Sequence, residues 1–174
     1  MNYKQLIAIP GRDSINTKCS SVRSLSMIKL MGKPDIAEGV CPLPTETIDC
    51  GPFRATGYRP FLLVVSKVMD VIKAADSDLY EQIGSAGCLN VRKVRGGNYP
   101  SNHSWGCAID LTIGGELCPR GSGMTQVGLL EVYKYAKRWS LASGQWLYWG
   151  AGFNTDDAMH FEASYELVKK WAGK

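Results

Sequence analysis

His103 and His160 are the two histidines in a chain of 174 residues. The first lies in SNHSWGCAID, residues 101–110, seven positions before Asp110; the second follows Asp157 by three in DAMHFE. Neutral imidazole and carboxylate are donors for zinc, and a catalytic zinc takes three protein ligands and leaves a fourth position for water. His103, Asp110 and His160 make such a set. Taken singly, a histidine is more often a surface or satisfied core residue, so composition leaves two structural histidines as the alternative.

The three residues come together only if the chain folds back on itself between residues 110 and 160. CAIDLTI, with its β-branched residues, reads as a strand carrying Asp110, and the loop GGNYPSN delivers the chain to His103 just before it. The C-terminal run WLYWGAGF, AMHFEAS, YELVKKWA reads as strand, strand, helix, which puts His160 on a strand that can lie beside the first. Glu162, two residues on, is expected to share the His160 face, which makes it a candidate partner for that imidazole and no more. Gly106 and Ala108 are small, which permits a tight turn and leaves room around an ion.

Upstream, Val22, Leu25, Ile28 and Met31 recur at helical spacing in residues 20–31, and the run stops at Gly32 before Pro34. Residues up to about Gly57 read as loop. PFLLVVSKVMDVIKAA opens on Pro60 and carries an apolar face through Leu62, Val65, Val68, Met69 and Ile72, so it predicts a helix. SDLYEQIG adds one or two helical turns ending at Gly84, and GCLNVRKVR predicts a strand. TQVGLLEVYKYAKRWSLA predicts the last long helix, with Leu129, Val132, Ala136 and Trp139 on one face. Helices and strands alternate without a β-α-β beat, which favours an α+β fold over a doubly wound sheet.

SNHSWGCAID fits the pattern Ser-x-His-x-x-Gly-x-Ala-x-Asp, and DAMHFE fits the later Asp/Glu-x-x-His motif. In both, and in their order, the chain resembles the zinc D-alanyl-D-alanine carboxypeptidases and L-alanyl-D-glutamate endopeptidases that cut peptidoglycan peptides. The resemblance runs from about Gly57 to Phe161. It implies a single small domain of the Hedgehog/DD-peptidase type, an antiparallel sheet flanked by helices, with residues 57–174 as catalytic core and 1–56 as an extension packed on it. It makes His103, Asp110 and His160 ligands of Zn2+ and Asp157 the general base, which takes a proton from water and passes it to the leaving amine. Aspartate there, where many carboxypeptidases have glutamate, leans toward phage-type endopeptidases. Asp156 is the competing acid and reads as a turn residue.

The resemblance also calls for an arginine upstream of the first histidine to meet the substrate carbonyl. Arg92 is the first choice and Arg95 the second, since three residues apart on a strand they face opposite sides; Arg59 is a third candidate. Ser101 and Trp105 are weaker candidates, the one for an outer hydrogen bond to the metal site, the other for the cleft wall. The expected activity is a peptidoglycan hydrolase, an L-alanyl-D-glutamate endopeptidase acting as a cell-wall lysin. The alternatives are a D-alanyl-D-alanine carboxypeptidase, a non-catalytic zinc-binding module of the same fold, and a metal-free structural domain.

Composition sets the limits. With 45% hydrophobic and 21% charged residues the chain is an ordinary globular protein, and at this length it builds a core without disulfide or metal staples. The net charge of +4 is spread along the chain, so nucleic acid is not an expected partner, while mild attraction to a polyanionic wall is compatible. No segment has the length and apolarity of a membrane span, and the N-terminus lacks a signal-peptide core. The expectation is a monomer made in the cytoplasm that reaches the wall after release. The six cysteines form no Cys-x-x-Cys pair, which argues against a zinc ribbon and predicts free thiols.

Overall fold

Residues 108–113 show how the site is positioned. Ile109, Leu111 and Ile113 are buried on one face of this strand, and Ala108, Asp110 and Thr112 point to the other. In the computed structural model, which describes residues 1–174, this strand is central in a four-stranded antiparallel sheet. With β1 at Leu6–Ala8, β2 at Thr45–Asp49 and β3 at Arg54–Tyr58, the sheet is formed by β4 (Ile83–Gly87), β5 (Ala108–Ile113), β7 (Leu147–Trp149) and β8 (His160–Ala163) in the order β4-β5-β8-β7. The remaining strand, β6 (Met124–Gln126), pairs with β1 in a separate two-stranded sheet.

Two long helices cover the apolar face. In α2 (Arg59–Ala75), Pro60 sits in the first turn, and Phe61, Leu62, Val64, Val65, Val68, Met69 and Ile72 are buried. In α4 (Val127–Ser143), Leu129, Val132 and Ala136 are buried, and Gly144 ends the helix with φ +71°. Val65, Val68, Met69, Val132 and Ala136 meet Ile109, Leu111 and Phe161 of the sheet in the core. The other helices are α1 (Ser24–Met31), the single turn α3 (Ser77–Tyr80) and α5 (Tyr165–Trp171), the last capped by Ser164 Oγ, which accepts from the Leu167 amide. The chain is thus a small single-domain α+β protein with antiparallel sheets and five helices. No helix is long and apolar enough to cross a membrane.

The first thirty residues are woven into this frame. The Asn16 side chain donates to the Trp149 carbonyl at 2.8 Å and accepts from the Trp149 amide at 3.0 Å, so one amide side chain serves as strand partner to the edge of β7. Tyr165 N donates to Ser20 O at 2.9 Å.

Several expectations about elements need correction. Residues 45–58, expected as loop, form the hairpin β2–β3. TETID is polar and half exposed, and the pairing is marked by Thr47 and Thr56 meeting across the strands at 2.7 Å, so no apolar alternation announces it. The helix expected to end at Gly84 ends at Tyr80, and Gly84 lies inside β4. A Cβ on Gly84 would come within 2.6 Å of Thr112 Oγ1, so this glycine permits close strand approach and does not cap a helix. The strand expected over residues 87–95 is β4, which stops at Gly87 (φ +134°) beside a register shift. Residues 88–100 therefore form a loop, and the argument that Arg92 and Arg95 face opposite sides does not apply.

All six cysteines are unpaired, and Cys50, Cys88, Cys107 and Cys118 are buried. Burial raises the thiol of Cys50 to about 11 and those of Cys88 and Cys107 further. Thiolate is the reactive form, so native protein is expected to leave these four largely unmodified by a thiol reagent at neutral pH, and unfolded protein to titrate six without prior reduction. Intact mass and a thiol count with and without reductant check this; a two-hydrogen deficit per pair before reduction would mean disulfides.

Candidate metal centre

Antiparallel pairing sets Asp110 of β5 directly opposite His160 of β8, and Ala108 opposite Glu162. Residues so paired project side by side from one face. His103 comes from the single 3₁₀ turn Asn102–Trp105 that leads into β5. The turn closes at Gly106, whose φ is +63° and whose Cβ position lies within 2.7 Å of the Gly57 Cα of β3. Gly106 is thus required by the tight turn and by contact with a neighbouring strand, and neither it nor Ala108 lines the cleft, so the room expected of them around an ion is not their contribution.

Three donor atoms converge. His103 Nε2 lies 3.2 Å from His160 Nδ1 and 3.4 Å from Asp110 Oδ1, and His160 Nδ1 lies 3.2 Å from the same oxygen. Ligands about 2.0–2.1 Å from a tetrahedral zinc are about 3.3 Å from one another, so the triangle has the size such an ion requires. Tautomers agree. His103 Nδ1 is 2.7 Å from the Cys88 carbonyl and His160 Nε2 is 3.0 Å from Glu162 Oε2, both acceptors, so those nitrogens carry hydrogen and Nε2 of His103 and Nδ1 of His160 turn lone pairs toward the centre. With both rings neutral, two lone pairs face each other at 3.2 Å, an arrangement that either a proton or a cation between them relieves.

Electrostatics point the same way. Burial opposes ionisation of Asp110, but hydrogen bonds with His103 and His160 outweigh it and hold the carboxyl well below its usual range. Burial also opposes charge on His160, yet hydrogen bonds to Asp110 and Glu162 raise it to about 10. The pocket draws positive charge to this point, where a proton and a divalent cation compete.

Glu162 is held on every side. Its Oε1 accepts from Ser21 Oγ at 2.8 Å, and its Oε2 accepts from Asn102 Nδ2 at 2.8 Å as well as from His160. Exchanging Glu162 for Gln leaves shape but removes the charge that fixes the His160 tautomer. Zinc affinity is expected to fall by roughly 10–100-fold, measured by competition with a chelator; unchanged affinity would mean that the carboxylate does not support the ligand.

Asp157 stands in the same cleft. Its amide donates to the Gly150 carbonyl at 3.0 Å, and its own carbonyl accepts from the His160 amide at 3.1 Å, so one turn carries both residues. A Cβ on Gly150 would lie 2.5 Å from the Asp157 carbonyl and 2.9 Å from His160 Cβ, leaving no space for any side chain there. Asp157 Oδ1 is buried without a hydrogen-bond partner, and burial, its leading influence, raises the carboxyl above the ordinary value. Asp156 instead accepts from the Gly123 amide and holds the 119–123 loop.

The cleft, of about 430 Å³, is lined by both histidines, Asp110, Asp157 and Ser101, and also by Arg92 and Arg95. Arg92 donates to the Lys93 carbonyl from Nη1. Ser101 Oγ accepts from the His103 amide, so it shapes the turn that carries His103. Two candidates fall away. Trp105 is not a cleft wall: it is fully buried and donates from Nε1 to the Gly32 carbonyl at the end of α1. Arg59 pairs with Glu46 on the hairpin and does not line the cleft. Arg120 was not foreseen. Its Nε lies 3.6 Å from Asp157 Oδ2, but it sits in a glycine-rich loop with no motif, brought there by the Asp156 tether.

Residues 95–163 match a family model described as D-alanyl-D-alanine carboxypeptidase. The matched span, less than half of the chain, contains His103, Asp110, Asp157, His160 and Glu162, and supports similarity to zinc peptidases of that family. No curated protein and no solved structure matches the chain.

Proposed function

We propose that the chain is a zinc-dependent peptidase that hydrolyses peptide bonds in the stem peptides of peptidoglycan. The observation that carries the reading is the triangle of His103 Nε2, Asp110 Oδ1 and His160 Nδ1 with the unpartnered Asp157 oxygen in the same cleft. A zinc ion held by the three donors would supply Lewis acidity toward a peptide carbonyl and acidify a water. Asp157 takes the proton of the attacking water and returns it to the leaving amine, a task suited to a carboxylate whose pKa burial has raised. In this reading Arg120 orients Asp157, and Arg92 and Arg95, which line the cleft, are the candidates to meet the substrate.

The finer reading is an endopeptidase cutting between L-alanine and D-glutamate, supported by aspartate at position 157 and by a cleft roomy enough for several substrate residues. The description of the matching family favours a second reading, removal of terminal D-alanine. Digestion of purified peptidoglycan followed by mass analysis decides between them: new N-terminal glutamate marks the endopeptidase, and free D-alanine without it marks the carboxypeptidase. Release of neither product would overturn the function.

A further inference from the structure

One wall of the cleft comes from a part of the chain far from both histidine motifs and outside the span that matches the family. Ser21, Arg23, Ser24 and Leu25 line the cleft together with Asp110, Asp157 and His160. The segment is fastened at three points. Ser21 Oγ donates to Glu162 Oε1 at 2.8 Å, the Val22 carbonyl accepts from Asn102 Nδ2 at 3.0 Å, and Ser24 Oγ donates to the Pro100 carbonyl at 2.7 Å. Arg23 lies between these fasteners, at the residue preceding α1, with backbone angles of φ −74° and ψ 148°. Its backbone is therefore held in place while its side chain is exposed and joins none of the ion pairs of the molecule.

Charge gives this placement its meaning. The acids of the cleft are already engaged: Asp110 and Glu162 on the histidines, Asp157 beside Arg120. Arg23, Arg92 and Arg95 line the same cleft without an acidic partner. A guanidinium is a fork of donors that matches a carboxylate in two parallel bonds, and it remains charged at every pH the protein meets.

We propose that Arg23 is a specificity-determining residue that binds a free carboxylate on the substrate peptide beside the scissile bond, so that the cleft selects an anionic peptide over its amide. The inference rests on the peptidase reading above and adds to it a residue from the N-terminal wall. Arg23 takes no part in the bond-breaking step. Its removal acts on binding, and the effect depends on whether the substrate carries the carboxylate.

The test pairs two substrates with two proteins. The substrates are a synthetic stem peptide containing L-alanyl-D-glutamate with its free α-carboxylate, and the same peptide with that carboxylate converted to the carboxamide. For the wild type, KM is expected to be roughly five- to tenfold lower for the carboxylate, with kcat similar. Arg23→Gln, an exposed change that leaves the fasteners in place, is expected to raise KM for the carboxylate peptide by that factor and to treat the two peptides alike; Arg23→Lys is expected to restore part of the preference. Calorimetric binding of both peptides to protein carrying Asp157→Asn gives the same ratio without turnover. A wild type indifferent to amidation, or an Arg23→Gln variant that keeps the full preference, overturns the role of Arg23 and leaves the peptidase reading intact. A wild type that neither binds nor cleaves either peptide, and releases nothing from peptidoglycan, overturns both.

Discussion

Alanine in place of His103, Asp110 or His160 is expected to abolish wall-degrading activity and to weaken zinc binding strongly in each case. The three donors form one triangle with edges of 3.2–3.4 Å, so removing a corner leaves two ligands that cannot hold a tetrahedral ion with an open position. Asp110→Ala has a further effect. It leaves the two imidazoles, buried and facing each other, without the carboxylate they share. His160→Ala frees Glu162 of its imidazole partner, but Ser21 and Asn102 still donate to that carboxylate, so the variant is expected to fold. Metal content after dialysis, measured by atomic spectroscopy beside a circular dichroism spectrum, separates loss of metal from loss of fold. Full zinc occupancy in any two folded variants would remove these residues from the ligand set.

How much of this was open to reading from the chain depends on how local each feature is. The donor set of His103, Asp110 and His160 was legible as residue types, and it was the resemblance carried by SNHSWGCAID and DAMHFE that singled it out; composition alone left two structural histidines as the alternative. The strand in CAIDLTI was legible from its β-branched residues, and the apolar face of the helix after Pro60 from burial that repeats at the period of the element. The hairpin β2–β3 and the true position of β4 were not, since one is polar on both faces and the other contains Gly84 for the sake of Thr112, a residue 28 positions away. Arg92 and Arg95 line the cleft, but from a loop and not from the strand expected to carry them. Arg120 and the 21–25 wall escaped because what places them is a tether between distant residues, Asp156 to Gly123 and Ser21 to Glu162, that leaves no periodic or spaced trace. Trp105 misled for a related reason. A tryptophan two residues after His103 was a candidate for the cleft wall, whereas its buried indole donates to the Gly32 carbonyl at the end of α1.

Binding and chemistry are expected to separate at Asp157. Asp157→Asn preserves the size of the side chain and the backbone bonds to Gly150 and His160, so the turn that carries His160 is retained. Asparagine cannot accept a proton from water and hold it, so turnover is expected to fall by about a hundredfold or more while zinc stays near one per chain. The surroundings sharpen the expectation. Oδ1 is buried without a partner, and Oδ2 meets only the Arg120 guanidinium at 3.6 Å, so the carboxylate is held by few bonds and remains free to receive a proton. Substituting Arg120 with Lys provides the comparison: it keeps a positive charge near Asp157 but loses the fixed fork, and its effect is expected to be smaller than that of Asp157→Asn. Zinc content and the rate of release of new amino termini from peptidoglycan, measured on the same preparations, give both halves of the result. An Asp157→Asn protein that keeps zinc and full activity would show that the proton goes elsewhere; one that loses zinc would show that Asp157 helps to build the metal site and is more than its base.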